Sequence, residues 1–227
     1  METLIAYMPL LARGALVTAS LAVLSLALAT AIGGLAAAVR VGTGWIGQGV
    51  VLVYTTIVRG IPDLVLLLLI YFGGQRLINQ ASAALGGGPV SISAFWAGVI
   101  TLGIIYGAYL SETFRGAYMS VPRGQSEAAR ALGLGTVPLV FRIVMPQLVR
   151  FALPGYANTW QVLVKSTAVI SVIGLADLVG LARQAGQSTR EPFLFFTAVL
   201  GFYLFITWVS TTIFERMERR YAVGYAR

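Results

Sequence analysis

The chain has 227 residues, of which 58% are hydrophobic and 11% charged, with a mean hydropathy of +0.84. A soluble domain carries about 25% charged residues, so the composition excludes an ordinary water-soluble domain and points to a bilayer as the solvent. Cysteine and histidine are absent and the net charge is +8, which excludes disulfides, Cys/His zinc sites, thiol nucleophiles and His-based triads.

Between Arg13 and Arg40 lie 26 uncharged residues. About 20 span a bilayer, whereas a signal-peptide apolar region has only about 7–15. The first transmembrane helix is therefore predicted over 14–39, without a cleaved signal. The second span is predicted over 50–72 and contains Arg59, Pro62 and Asp63. Residues 73–93, with Gly86-Gly87-Gly88-Pro89, read as a flexible external loop. The third span is predicted over 94–111, up to Glu112, the fourth over 151–176, interrupted only by Lys165, and the fifth over 193–214. The long polar stretch 112–150 separates spans three and four. One all-α membrane domain with about five spans covers 1–227, and no internal repeat is visible.

Arginine is unevenly placed. Loops 40–49, 112–150 and 215–227 hold ten arginines, Arg227 among them, while the opposite side holds four: Arg13, Arg76, Arg183 and Arg190. The excess predicts an outside N-terminus and an inside C-terminus. It also removes nucleic acid as the reason for the basic charge.

The stretch 112–150 contains Glu127-Ala128-Ala129, then Gly133, then Ile143-Val144-Met145-Pro146. This is the pattern E-A-A-x3-G-x9-I-x-L-P, with Met145 where Leu is usual. Ser126 is predicted to N-cap a short helix, with Glu127 in its first turn favouring the dipole and Gly133 permitting a sharp reversal. Here the sequence resembles the membrane permeases of bacterial ABC importers. Arg59-Gly60-Ile61-Pro62-Asp63, Glu112-Thr113-Phe114-Arg115-Gly116-Ala117, Trp160 to Ala168 and Gly174-Leu175-Ala176-Asp177-Leu178 extend the likeness to the polar amino acid branch, with the Q-type permeases of histidine/lysine/arginine/ornithine, octopine and nopaline importers nearest. The resemblance implies a type I importer transmembrane domain in the bacterial cytoplasmic (inner) membrane. It implies a second permease chain, homologous or identical, two ATPase subunits that bind ATP and Mg, an external substrate-binding protein and an amino acid substrate. It makes Ser126, Glu127, Ala128, Ala129, Arg130, Gly133 and Pro146 the ATPase-coupling residues. No cofactor is expected in this chain. A Walker A loop requires Gly-Lys-Ser/Thr, and the only lysine, Lys165, follows Val164.

Ionisable groups in hydrocarbon are costly and are usually paired or functional. Asp63 suits a cationic side chain or an α-ammonium group, or else an ion pair with Arg59 at i,i+4. Lys165 suits an α-carboxylate, or else a structural pairing. Asn158, Thr159 and Gln161 offer hydrogen bonds to a substrate or across helices. Gly103, Gly107 and Ser111 form a small-residue face on span three, with Tyr106 and Tyr109 off that face as candidate cavity lining. Glu112 and Arg115 at i,i+3 read as an interfacial ion pair, and Pro154-Gly155 as a hinge. The leading expectation is a permease for a polar, basic amino acid. A glutamine- or glutamate-type permease is the alternative, ahead of an intramembrane enzyme or a structural membrane subunit.

Overall fold

The computed structural model describes residues 2–42 and 44–222. Arg227 lies outside them. Among the described residues the chain is helical throughout: α1 (Glu2–Gly42), α2 (Trp45–Gly60), α3 (Asp63–Ala84), α4 (Ala94–Met119), α5 (Arg123–Ala131), α6 (Thr136–Ile173), α7 (Leu178–Thr189) and α8 (Pro192–Ala222). Five of these, α1, α3, α4, α6 and α8, are long and apolar enough to cross a membrane. Backbone polar groups in hydrocarbon must be satisfied internally, and helices do this within one segment.

The second span departs from the expected one. Residues 50–72 are not continuous helix. α2 ends at Gly60, Ile61 is extended (φ −109°, ψ 137°), Pro62 is extended too (ψ 138°), and α3 starts at Asp63. Proline disfavours α geometry at the residue before it, so Ile61 breaks the helix, and the stretch of helix long and apolar enough to cross a membrane shifts to Asp63–Ala84. That shift also converts most of the expected 73–93 loop into helix. The remaining loop is tied down: Gln75 donates to the Val90 carbonyl and accepts from the Ile92 amide at 2.7 Å, and Asn79 accepts from the Val90 amide at 2.9 Å. The other helices overrun their predicted ends, α1 starting at Glu2, α4 continuing to Met119 and α8 to Ala222. Local π turns at Leu69–Gly73 and Val140–Val144 interrupt α3 and α6, and α6 tightens to a 3₁₀ turn over Thr167–Ile173.

α4 is the centre of the bundle, with Leu102, Ile105, Tyr106, Ala108 and Leu110 all buried. Its small-residue face meets α1. A Cβ on Gly103 would stand 2.5 Å from Leu28, one on Gly107 would stand 2.8 Å from Ile32, and one on Gly33 of α1 would stand 2.7 Å from Leu110. Helices in lipid associate by such close packing, because the tails offer no hydrophobic drive. Pro154-Gly155 does not interrupt α6. Gly155 instead admits Thr113 of α4, whose Cγ2 would lie 2.7 Å from an added Cβ. α7 is N-capped by Asp177, which accepts from the Gly180 amide at 2.9 Å, while Leu178 donates to Thr18 Oγ1 of α1 at 3.1 Å.

This packing predicts that Gly107→Leu destabilises the permease by roughly 1–3 kcal/mol through overpacking. Gly116→Leu on the same helix, where an added Cβ meets nothing within 4 Å, should cost less than about 0.5 kcal/mol. Thermal unfolding of the two purified variants in detergent measures the difference, and equal stabilities would remove the α1–α4 contact as a determinant of the fold.

Candidate functional site

The residues singled out from the sequence fall into two places. One is a polar row along α4. Tyr106 donates to Asp63 Oδ2 at 3.0 Å, Ser166 Oγ lies 3.3 Å from the same oxygen, and the two hydroxyls are 2.6 Å apart. Each hydroxyl has one proton, so at any instant the pair makes two of these three contacts as donors. The cluster joins the first residue of α3, the middle of α4 and the C-terminal part of α6. Asp63 and Arg59 form no ion pair within 4 Å, because the extended Ile61–Pro62 segment destroys the helical i,i+4 geometry. The Arg59 guanidinium instead lies over Tyr109, 5.1 Å from the ring centroid, a cation–π contact. Tyr109 in turn stacks on Tyr106 with centroids 5.8 Å apart. Arg59 and Asp63 thus face each other through two tyrosine rings.

Next to this row, a cavity of about 500 Å³ opens between α1, α2 and α4, lined by Arg40, Thr55, Arg59, Tyr109 and Glu112 among others. Its volume is in the range of small-ligand sites, roughly 300–1,000 Å³. Glu112 closes one side. It pairs with Arg115 at 2.8 Å on its own helix and with Arg40 at 2.5 Å at the end of α1.

The expected polar cluster on span four does not converge on the row. Gln161 Nε2 donates to Thr211 Oγ1 at 3.0 Å and so ties α6 to α8. Thr159 is buried and returns its hydroxyl to the Gly155 carbonyl at 2.9 Å. Asn158 is exposed on another side of the helix. Lys165 is exposed near the 3₁₀ turn and makes no ion pair among the described residues. The residue that does reach Asp63 is Ser166, which the sequence reading passed over. Its signal was a hydroxyl inside an apolar span, which by itself does not distinguish it from Thr167 or Ser171.

The second place is the α5–α6 hairpin. α5 starts at Arg123, with Pro122 as the extended residue before it. Ser126 is therefore inside the helix rather than its N-cap, and Glu127 lies past the first turn. Proline is suited to the start of a helix because it needs no amide partner there, which moves the N-terminus ahead of Ser126. The C-terminal end is a Schellman turn. The Gly133 amide donates to the Arg130 carbonyl at 2.9 Å, and the Leu134 amide to the Ala129 carbonyl at 3.0 Å. Gly133 has φ +81°, the left-handed region that glycine adopts without a Cβ penalty. Ala129 is buried against Leu139 and Val144, so a larger side chain at the second alanine of the motif would pry the hairpin apart. Ala128 is exposed, and Pro146 lies in the first turn of the regular α-helical part of α6. Gln147 bonds to Gln125 at 2.6 Å and fastens α5 to α6. Leu132, Val137 and Phe141, 82%, 68% and 68% exposed, leave the hairpin tip apolar and uncovered.

Comparison with known proteins follows this geometry. The family model for the binding-protein-dependent transport system inner membrane component matches residues 29–223. The chain is 47% identical over 219 residues to the histidine/lysine/arginine/ornithine transport system permease protein HisQ of Escherichia coli strain K12, covering 95% of this chain and 94% of that protein. It is 43% identical over 175 residues to the octopine transport system permease protein OccQ of Rhizobium radiobacter, covering 77% and 74%. Among solved structures, an amino acid ABC transporter crystallised with histidines superposes with a TM-score of 0.78 at 31% identity, covering 96% of this chain and 97% of that one. The MetNI methionine ABC transporter in an inward-facing conformation shares the fold, with a TM-score of 0.73 at 21% identity, covering 95% and 98%. The chain belongs to the binding-protein-dependent transport system inner membrane components, and it is a multi-pass permease subunit of the type I ABC importer fold rather than an enzyme, working with a substrate-binding protein and a separate ATPase.

Proposed function

We propose that this chain and a second permease chain form the translocation path of an importer for a basic amino acid, with the N-terminus outside and the C-terminus in the cytoplasm. An external binding protein delivers the amino acid. Two ATPase subunits, which bind ATP and Mg, grip the α5–α6 hairpins and drive the path between outward and inward states. The permease need only make contacts that differ between those states. The Arg-rich side of the chain supports the orientation. The names of the relatives, which handle histidine, lysine, arginine, ornithine and octopine, support the substrate class.

The observation that carries the substrate reading is the Asp63 carboxylate. It is partly exposed, and among the described residues it accepts only from hydroxyls and no cation within 4 Å neutralises it. A buried or half-buried carboxylate is usually paired or functional. A substrate ammonium or guanidinium meets that need by displacing one hydroxyl, and the charged contact is the stronger of the two. Arg59, held over Tyr109 and without an acidic partner among the described residues, is suited to the α-carboxylate of the same substrate.

Asp63→Asn should lower arginine and lysine uptake by the reconstituted importer by about 5–150-fold, equivalent to roughly 1–3 kcal/mol for a hydrogen bond to a charged group. Glutamine uptake should change far less. An equal loss for arginine, histidine and glutamine would leave Asp63 a structural residue and favour the glutamine-type alternative.

For the hairpin, Gly133→Val should reduce uptake and substrate-stimulated ATPase together while the chain still inserts. A β-branched side chain is strained at φ +81°, and the Schellman turn that fixes the tip would open. Glu127→Lys should act in the same direction by reversing the charge on an exposed position of α5, not through the helix dipole. Normal coupling in both variants would displace the hairpin from this role.

The orientation can be read with single cysteines, since the native chain has none. Gln80→Cys and Ser188→Cys should label from outside intact cells, and Gly124→Cys only after permeabilisation. External labelling at position 124 would invert the topology.

A further inference from the structure

Behind the hairpin lies a second, larger cavity of about 1150 Å³, bounded by α1, the end of α4, α5 and the first half of α6, with Met217 of α8 at its edge. It lies at the opposite end of α4 from its first residue, Ala94, and away from the Asp63 cluster. Most of its wall is apolar: Gly34, Ala37 and Val41 of α1 face Val144, Leu148 and Leu153 of α6. One rim is different. Arg123, Glu127 and Arg130 of α5 all line the cavity. Spaced at i, i+4 and i+7, they share one helix face. None of the three is ion-paired within 4 Å among the described residues, and all three are exposed. The rim therefore offers two guanidinium groups against one carboxylate above a deep apolar chamber.

That combination selects the occupant. A purely apolar ligand would leave both guanidiniums without a partner. A small soluble anion would leave the wall uncovered, and the volume exceeds the roughly 1,000 Å³ upper end of ordinary small-molecule sites. An amphiphile with an anionic head and acyl chains meets both demands. Basic pockets between helices on the cytoplasmic side take anionic lipid head groups, and that leaflet supplies them. We infer that the cavity holds an anionic phospholipid of the cytoplasmic leaflet, its phosphate between Arg123 and Arg130 and an acyl chain along the α1–α6 wall. The inference rests on the cytoplasmic orientation proposed above, which the cysteine labelling tests separately. The same α5 that would meet the ATPase forms the head-group side, so the bound lipid is placed to stiffen the coupling hairpin.

The test uses the assembled complex with its partner permease and ATPase. Delipidated complex is offered phosphatidylglycerol or phosphatidylcholine, and retained lipid is counted by native mass spectrometry. Phosphatidylglycerol should be retained preferentially, with the preference falling about fivefold for each arginine removed in Arg123→Gln and Arg130→Gln. Gly34→Leu probes the other end of the lipid with both arginines intact. An added Cβ at Gly34 meets nothing within 4 Å, so the variant should fold while its side chain occupies the chamber and expels the acyl chain. Arg76→Gln with Arg183→Gln, exposed basic residues of α3 and α7 outside the cavity lining, should retain lipid like the wild type. Equal retention of the two lipids by the wild type would overturn the proposal. So would wild-type retention by Gly34→Leu, loss of lipid in the α3/α7 control as large as in the α5 variants, or no lipid in the complex because a partner chain fills the cavity.

Discussion

The close approach of α1 to α4 is the contact on which the rest of the molecule depends. Glycine at 33, 103 and 107 lets the two helices touch where any side chain would collide, and in lipid such contact is the main source of helix adhesion. The functional residues of α4 are set by that contact. With one side of the helix held against α1, the neighbouring positions aim Tyr106 at Asp63, Tyr109 at Arg59 and Glu112 at Arg40. These three residues recur every third position, so they drift slowly around a 3.6-residue helix and form a slanted stripe beside the glycine face. A rotation of α4 about its own axis would move all three together. The small-residue face therefore does more than hold two helices: it fixes the register of the polar row.

The break at Gly60–Pro62 supplies the second constraint. In a continuous helix Arg59 and Asp63 would sit one turn apart and neutralise each other. The extended Ile61–Pro62 segment removes that option and leaves each charge against neutral groups, a ring face for the cation and hydroxyls for the anion. Each arrangement is weaker than an ion pair between the two would be. Two opposite charges held apart by a pair of tyrosine rings match the two charged ends of a zwitterion better than either charge alone. The break also opens backbone groups that a helix would satisfy, which is tolerable at membrane depth only where protein or a water-filled cavity covers them. Its position beside the 500 Å³ cavity between α1, α2 and α4 meets that condition.

Much of this was legible in the sequence, for reasons that differ by element. The five apolar crossings announce themselves because a bilayer needs length and apolarity and nothing finer. Gly133 was legible because a hairpin of two short helices needs a left-handed residue at one place. The helix break inside the second predicted span was not foreseen because average hydropathy is insensitive to continuity: residues 50–60 and 63–72 are both apolar, and only the backbone preference that Pro62 imposes on Ile61 separates them. The Ser126 cap failed for a related reason. Pro122 can start the helix earlier, and its preference competes with that of Ser126 without leaving any mark in the hydropathy. Gln161 and Lys165 were drawn toward the path by chemistry alone, and the angular position that turns Gln161 to α8 depends on α6 packing across Gly155 and Thr113, a contact between distant segments.

The α5–α6 hairpin is built as a single unit. Its two ends are fixed by different means: the Schellman turn and the buried Ala129 close the tip, and the Gln125–Gln147 bond joins α5 to the first turns of α6. Such a unit moves as one body when its exposed tip is pushed. α6 then carries the displacement without a second joint, because it runs through Pro154-Gly155 unbroken and is seated on Thr113 of α4 there. Its far end bears Ser166, one of the two hydroxyls on Asp63. Ser166 Oγ is already 3.3 Å from the carboxylate oxygen, at the long end for an O–H···O bond, so a shift of α6 along its axis by even a fraction of a turn would carry it out of range. The carboxylate would then lose a donor at the moment the hairpin is displaced, and its affinity for a cation would rise. On the reading proposed above, α6 is the physical link between the exposed hairpin tip and the Asp63 carboxylate.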